Sequence, residues 1–136
     1  MRGSKRFAIV GAALGMAAVL GAAQHPAVLG QVSPGLWELA GAPGGKGPVR
    51  QCVADLTALA QFEHRTRTCT RNVVSDSGTT TVIHYTCGSG EFGDSKLTVI
   101  TPRSMRIETQ GISDQAPFNY VLQARRVGDC SSAAAH

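Results

Sequence analysis

The sequence predicts a mainly β fold, an antiparallel β-meander or partial barrel with one short helix, stapled by two disulfides. Three observations predict it. Alternating apolar and polar runs fill the second half of the chain, turn residues punctuate them at short intervals, and two of the four cysteines stand symmetrically about Gly78.

The chain opens on Arg2, Lys5 and Arg6 and then runs uncharged from Phe7 to Ala23 through Ala, Gly, Val and Leu. A basic start before an apolar stretch is the pattern of an export leader, and Gly21 and Ala23 are the small residues a signal peptidase reads. Residues 1–23 are therefore read as a signal peptide cleaved near Ala23, and residues 24–136 as a single small β-rich domain with a loose N-terminal segment. The apolar stretch is short and glycine-rich for a membrane span, so the membrane is met only during export. Thirteen Lys and Arg face nine Asp and Glu in the whole chain. Three of the basic residues lie in the leader with no acid beside them, which leaves ten against nine, about +1. The alkaline balance thus reports export, and nucleic acid is not expected as a partner.

Within the mature chain, "QHPAVLGQVS" from Gln24 to Ser33 reads as loose. "PGLWELAG" gives a short strand with Leu36 and Trp37 as its apolar anchors, and "APGGKGPV" from Ala42 to Val49 is loop. In "ADLTALAQFEH" Asp55 caps a short helix carrying Leu56, Leu59, Ala60 and Glu63 at helical spacing. Beyond Arg65 the period changes to two. Met105, Ile107 and Thr109 alternate with Arg106, Glu108 and Gln110, and Phe118, Tyr120, Leu122 and Ala124 alternate with Asn119, Val121 and Gln123. Turns at Asp76 to Gly78, Gly88 to Gly90, Thr101 to Arg103 and Gly111 to Pro117 divide this region into about five antiparallel strands in series.

Four cysteines in an exported chain favour two disulfides, and their separations of seventeen, eighteen and forty-three positions, without any C-x-x-C pair, speak against zinc. If Asp76, Ser77 and Gly78 make a hairpin turn, Cys69 and Cys87 lie opposite each other or two residues out of register. Opposed residues have Cα atoms about 4.5 to 5.5 Å apart, within disulfide reach. Cys52 then pairs with Cys130 by elimination, tying the segment before the helix to the end of the last strand.

"PGLWEL" at Pro34 to Leu39, the cysteine before a short helix at Cys52, the hairpin with Cys69 and Cys87, and the terminal "ARRVGDC" at Ala124 to Cys130 together resemble a family of small exported proteins of Gram-negative bacteria catalogued as a domain of unknown function (DUF3617-like). The resemblance covers nearly the whole mature chain. It implies a periplasmic β-rich domain and supplies no catalytic residue. The chain departs from the family's pattern in its Gly/Pro-rich loop at Ala42 to Pro48.

Among residues that carry chemistry, "GDS" at Gly93 to Ser95 has the look of one serine-esterase nucleophile block but reads here as a hairpin turn. His84 lies in a predicted strand, sharing a face with Val82 and Thr86 and lacking a partner carboxylate in sequence reach. His25 and His136 fall in the loose segment and at the last residue, so no metal site is expected. Arg65, Arg67 and Arg71 fall on one strand face with Cys69, and with Arg125 and Arg126 they form either an anion-binding patch or a solvated face balanced by Glu38, Glu63, Glu91, Glu108 and Asp129. Trp37, Phe118 and Tyr120 either line a ligand cavity or fill the core. The sequence therefore points to an exported, periplasmic, non-catalytic protein without a cofactor. Its partner is an envelope protein met through a sheet edge, or a small apolar or anionic ligand in the mouth of the curled sheet, with Arg125, Arg126, Trp37 and Tyr120 as candidate binding residues. The alternative is a small serine hydrolase using Ser95 and His84.

Overall fold

The computed structural model describes residues 25–45 and 47–131; the leader read over residues 1–23 lies outside the described residues. Period-two alternation becomes seven strands: β1 (Gly35–Ala40), β2 (Val49–Val53), β3 (Thr70–Ser77), β4 (Thr80–Gly88), β5 (Glu91–Thr101), β6 (Ser104–Ser113) and β7 (Ala116–Gly128). They form one open antiparallel sheet in the order β2-β1-β7-β6-β5-β4-β3. The five strands after the helix run in series as the sequence predicts. β7 then pairs with β1, and β1 with β2, a strand the local pattern does not announce.

Because successive side chains point to opposite faces, the alternating sets separate cleanly. Ile83, Tyr85, Leu97, Met105, Ile107, Leu122 and Ala124 face inward with Trp37 and Leu39 of β1. Leu36, expected as an anchor, turns to the other face and is only half-buried. The predicted helix is a 3-10 segment, Leu56–His64, broken by a non-helical Gln61. So short a run gains little from propagating an α-helix. Asp55 caps it, accepting from the Thr57 amide at 3.0 Å. Leu56, Leu59, Ala60 and Phe62 are buried, and the segment packs against β4, β5 and β6 on the inner face.

The N-terminal segment is not loose. Ala27–Gln31 forms a 3-10 turn that buries Val28, Leu29 and the following Val32 against β3, β4 and β5. Its amides at Ala27 and Val28 donate to the Asp76 carboxylate at 2.7 and 3.2 Å, and Gln31 Nε2 donates to the Gly78 carbonyl at 2.8 Å. Both anchors lie almost fifty residues away, where no local reading finds them.

The β3–β4 hairpin turns through Gly78 and Thr79, with Gly78 at a positive φ of 60° and Ser77 paired to Thr80. Carried on regularly, that register would set Cys69 opposite Gly88. One extra residue, Val74, bulges out between Val73 and Ser75, and beyond it Thr70 pairs with Thr86. The bulge therefore brings Cys69 opposite Cys87, with Cα atoms 4.2 Å apart and the sulfurs joined. Cys52 is joined to Cys130 at a Cα separation of 5.6 Å.

Three local expectations change. Gly93 to Ser95 lies inside β5 and makes no turn, because the chain turns earlier, at Ser89 and Gly90. The turn expected over Gly111 to Pro117 narrows to Asp114 and Gln115, both at positive φ. Arg65 and Arg67 follow the helical segment, so only Arg71 lies on β3.

Candidate functional site

Beneath the helical segment the inner face carries a polar layer. Ser95, fully buried, donates to the Ala60 carbonyl, and its hydroxyl lies 2.8 Å from that of Thr109. His64, 3% exposed, sets Nδ1 3.0 Å from the Tyr85 hydroxyl. Its Nε2 lies 3.9 Å from Glu91 Oε2, whose carboxylate also meets Arg67. The carboxylate favours the proton on Nε2, so Tyr85 donates to Nδ1. Burial lowers the His64 pKa, with Arg67 adding to the effect and Glu63 and Asp114 opposing it. Burial raises the Tyr85 phenol, and burial together with the hydrogen bond to Glu63, 2.7 Å long, raises that of Tyr120. Ser95, Thr109, Tyr85 and Tyr120 find hydrogen-bond partners in this layer, whereas His64 Nε2 and Glu91 Oε2 are buried without one, and the layer joins helix to sheet. His64 has no helical or strand periodicity to single it out in the sequence.

The outer face holds the other half of the pair that the alternative, hydrolase reading requires. His84 Nδ1 lies 2.7 Å from Asp94 Oδ1, so the histidine does have a carboxylate partner. The signal was present in the sequence: His84 and Asp94 are equally spaced about Ser89, the centre of the Gly88 to Gly90 turn. Ser95 is the next residue after Asp94 and points inward, so β5 separates it from His84 by the thickness of the sheet. The structure does not bring Ser95 and His84 together.

The arginines are distributed among acids. Arg125 and Arg50 share Glu38, Arg126 meets Asp129 and the Pro34 carbonyl, and Arg106 and Lys96 share Glu108. Arg71 reaches Thr57, Gln61 and Asp55 from β3. The Asp55 carboxyl is held below its ordinary range against the upward pull of burial, by hydrogen bonds from Thr57 and by the Arg71 charge. Arg125 and Arg126 are neighbours on one strand and point to opposite faces. They form no common patch. Trp37 is fully buried and donates Nε1–H to the Ser33 carbonyl, Tyr120 is buried, and Phe118 packs beside it, so these aromatics fill the core.

An apolar recess lies elsewhere, at the mouth of the inner face. Between the N-terminal 3-10 turn and the start of the helical segment there is a half-open cavity of about 400 Å³ lined chiefly by Pro26, Leu29, Val32, Pro34, Ala54 and Leu56. A smaller recess of about 190 Å³, with Asp55, Thr57, Arg71 and Val73 on its wall, continues from it toward the β3 edge. Sequence reading missed this place because its walls come from three separated segments, one of them the supposedly loose N-terminus. Among the described residues no group of three or more His, Cys, Asp or Glu is gathered to hold a metal ion.

A family model described as "Protein of unknown function (DUF3617)" matches residues 32–130. No curated protein and no solved structure matches the chain.

Proposed function

The chain belongs to the DUF3617 family, and from that premise and the geometry we propose that it is an exported, periplasmic binding protein that holds a small apolar ligand in the mouth of its sheet. The observation that carries this is the half-open apolar cavity of about 400 Å³ between the N-terminal turn and the helical segment. A concave, mostly apolar recess with a few polar groups at its rim is the usual form of a small-molecule site. Here Asp55 and Thr57 supply that rim.

Two closed disulfides fit an oxidising compartment, and among the described residues no helix is long and apolar enough to cross a membrane. The basic, apolar N-terminus supports export to the periplasm. A binding role without turnover is supported by the separation of Ser95 from His84 across the sheet. Capture of an envelope protein along a sheet edge is the weaker reading, because β2 is only five residues long and β3 is bulged at Val74, two features that blunt an edge.

The test is titration of the oxidised mature protein with uncharged N-phenyl-1-naphthylamine. Wild type is expected to give saturable, blue-shifted fluorescence. Gly30→Trp, at a position where a Cβ meets open space, and Ala54→Trp, on the opposite wall, should each weaken binding about tenfold, a cost of about 1.4 kcal/mol. Absence of saturable binding to folded wild type, or binding unchanged in both variants, would overturn the proposal.

A further inference from the structure

The outer face of the sheet, away from the mouth cavity, carries a pattern that neither the core nor the ion pairs explain. The registers place Asn72 opposite His84, His84 opposite Asp94, Asp94 opposite Gln110, and Gln110 opposite Asn119. Five hydrogen-bonding side chains thus stand in one row across β3, β4, β5, β6 and β7. Adjacent strands lie about 4.8 Å apart, so the row is about 19 Å long.

We propose that this row is a binding site for a neutral glycan chain laid across the strands. Its hydrogen-bond inventory is that of hydroxyl recognition. The amides of Asn72, Gln110 and Asn119 each offer donors and an acceptor, and among the described residues none of them has a side-chain hydrogen bond. His84 Nδ1 lies 2.7 Å from Asp94 Oδ1; in the tautomer that donates Nδ1–H to this carboxylate, Nε2 is an acceptor, and the second carboxylate oxygen is open to a hydroxyl donor. The surface is hollowed on both sides of that pair. A recess of about 410 Å³ lies over Val82, Asp94, Lys96, Gln110 and Asn119, and one of about 330 Å³ lies over His84, Thr86 and Phe92.

Charge selects among polar ligands. The nearest charged groups on this face, Lys96 and Arg106, both pair with Glu108. Two cations on one carboxylate leave one positive charge over, which the Asp94 carboxylate in the row balances, so these four groups together offer a polyanion or polycation no net charge. Val82 in one recess and the Phe92 ring in the other supply apolar surface for the C–H faces of sugar rings, and the Phe92 ring centroid lies 6.0 Å from that of His84. An uncharged polyhydroxyl chain is complementary to the whole row.

The probes are chitotetraose and maltotetraose, titrated to about 10 mM, a ceiling that detects binding of a few kcal/mol. The readout is the side-chain amide and backbone resonances of the oxidised, isotope-labelled protein. At least one probe is expected to shift Gln110, Asn119 and Asp94 saturably. The exposed double variant Gln110→Ala, Asn119→Ala, whose side chains hold nothing else, should weaken that binding at least tenfold while leaving naphthylamine binding unchanged. No saturable shift on the row with either sugar overturns the proposal. So does a shift that survives the double variant, or a row that responds to an extended neutral peptide and to neither sugar.

Discussion

His64 shows how much one side chain can carry in this fold. Its ring is sealed between Tyr85, Phe118 and the Glu91 carboxylate, and burial holds its pKa below the ordinary value. A depressed histidine stabilises the fold as the neutral ring. That contribution is complete above the unfolded pKa of about 6.5 and is lost as pH falls through the window beneath it, by about 1.4 kcal/mol for each unit of depression. The urea midpoint of wild type should therefore fall between about pH 6.5 and pH 5 more steeply than that of His64→Gln. Parallel pH profiles of the two proteins would contradict the assignment. Gly93 makes a second test at this scale. Tyr85, opposite it on β4, lies so close that a Cβ on residue 93 would come within 2.4 Å of the phenol oxygen. Gly93→Ala should cost about 1 to 3 kcal/mol by overpacking, measured by denaturant unfolding.

At the scale of elements, the strands after the helix were legible because inward and outward residues alternate without interruption, as in Met105 to Gln110 and Phe118 to Ala124. The Cys69–Cys87 staple was legible from its symmetry about Gly78, although the detail that makes it work is the bulge at Val74, which the symmetry conceals. Deleting Val74 should remove the bulge and leave Cys69 facing Cys87, so non-reducing peptide mapping should still find both native bridges. A variant that joins Cys69 to any other cysteine would contradict the register. The N-terminal turn was not legible. Its stability comes from Asp76 and Gly78 across the molecule, and "HPAVLGQ" has too few residues to show a period. Asp76→Ala should release about 1 kcal/mol of capping and speed amide exchange at Ala27 and Val28 before the sheet opens. Unchanged exchange there would show that the burial of Val28 and Leu29 alone holds the turn.

For the whole molecule, the sequence conveyed fold class and staples, while two of its candidate binding residues, Trp37 and Tyr120, lie in the core. Trp37 and Tyr120 were candidates because large aromatics mark both cores and ligand sites, and a sequence cannot say which. The cavity and the outer row arise only when separated segments meet in register. The Cys52–Cys130 bridge holds that arrangement, closing 78 residues and fastening β2 to the end of β7. Replacing both cysteines by Ser, so that no thiol is left unpaired, should lower stability by about 4 kcal/mol on the chain-entropy account, read from denaturant unfolding. The central claim is that the mouth of the sheet, beside the N-terminal turn, holds an apolar ligand. Methyl-resolved NMR of the oxidised mature protein titrated with decanol tests it most directly. The account predicts saturable shifts centred on the methyl groups of Leu29, Val32, Ala54 and Leu56, and diminished in Gly30→Trp; shifts absent from those four residues, or centred on the outer face, would contradict it.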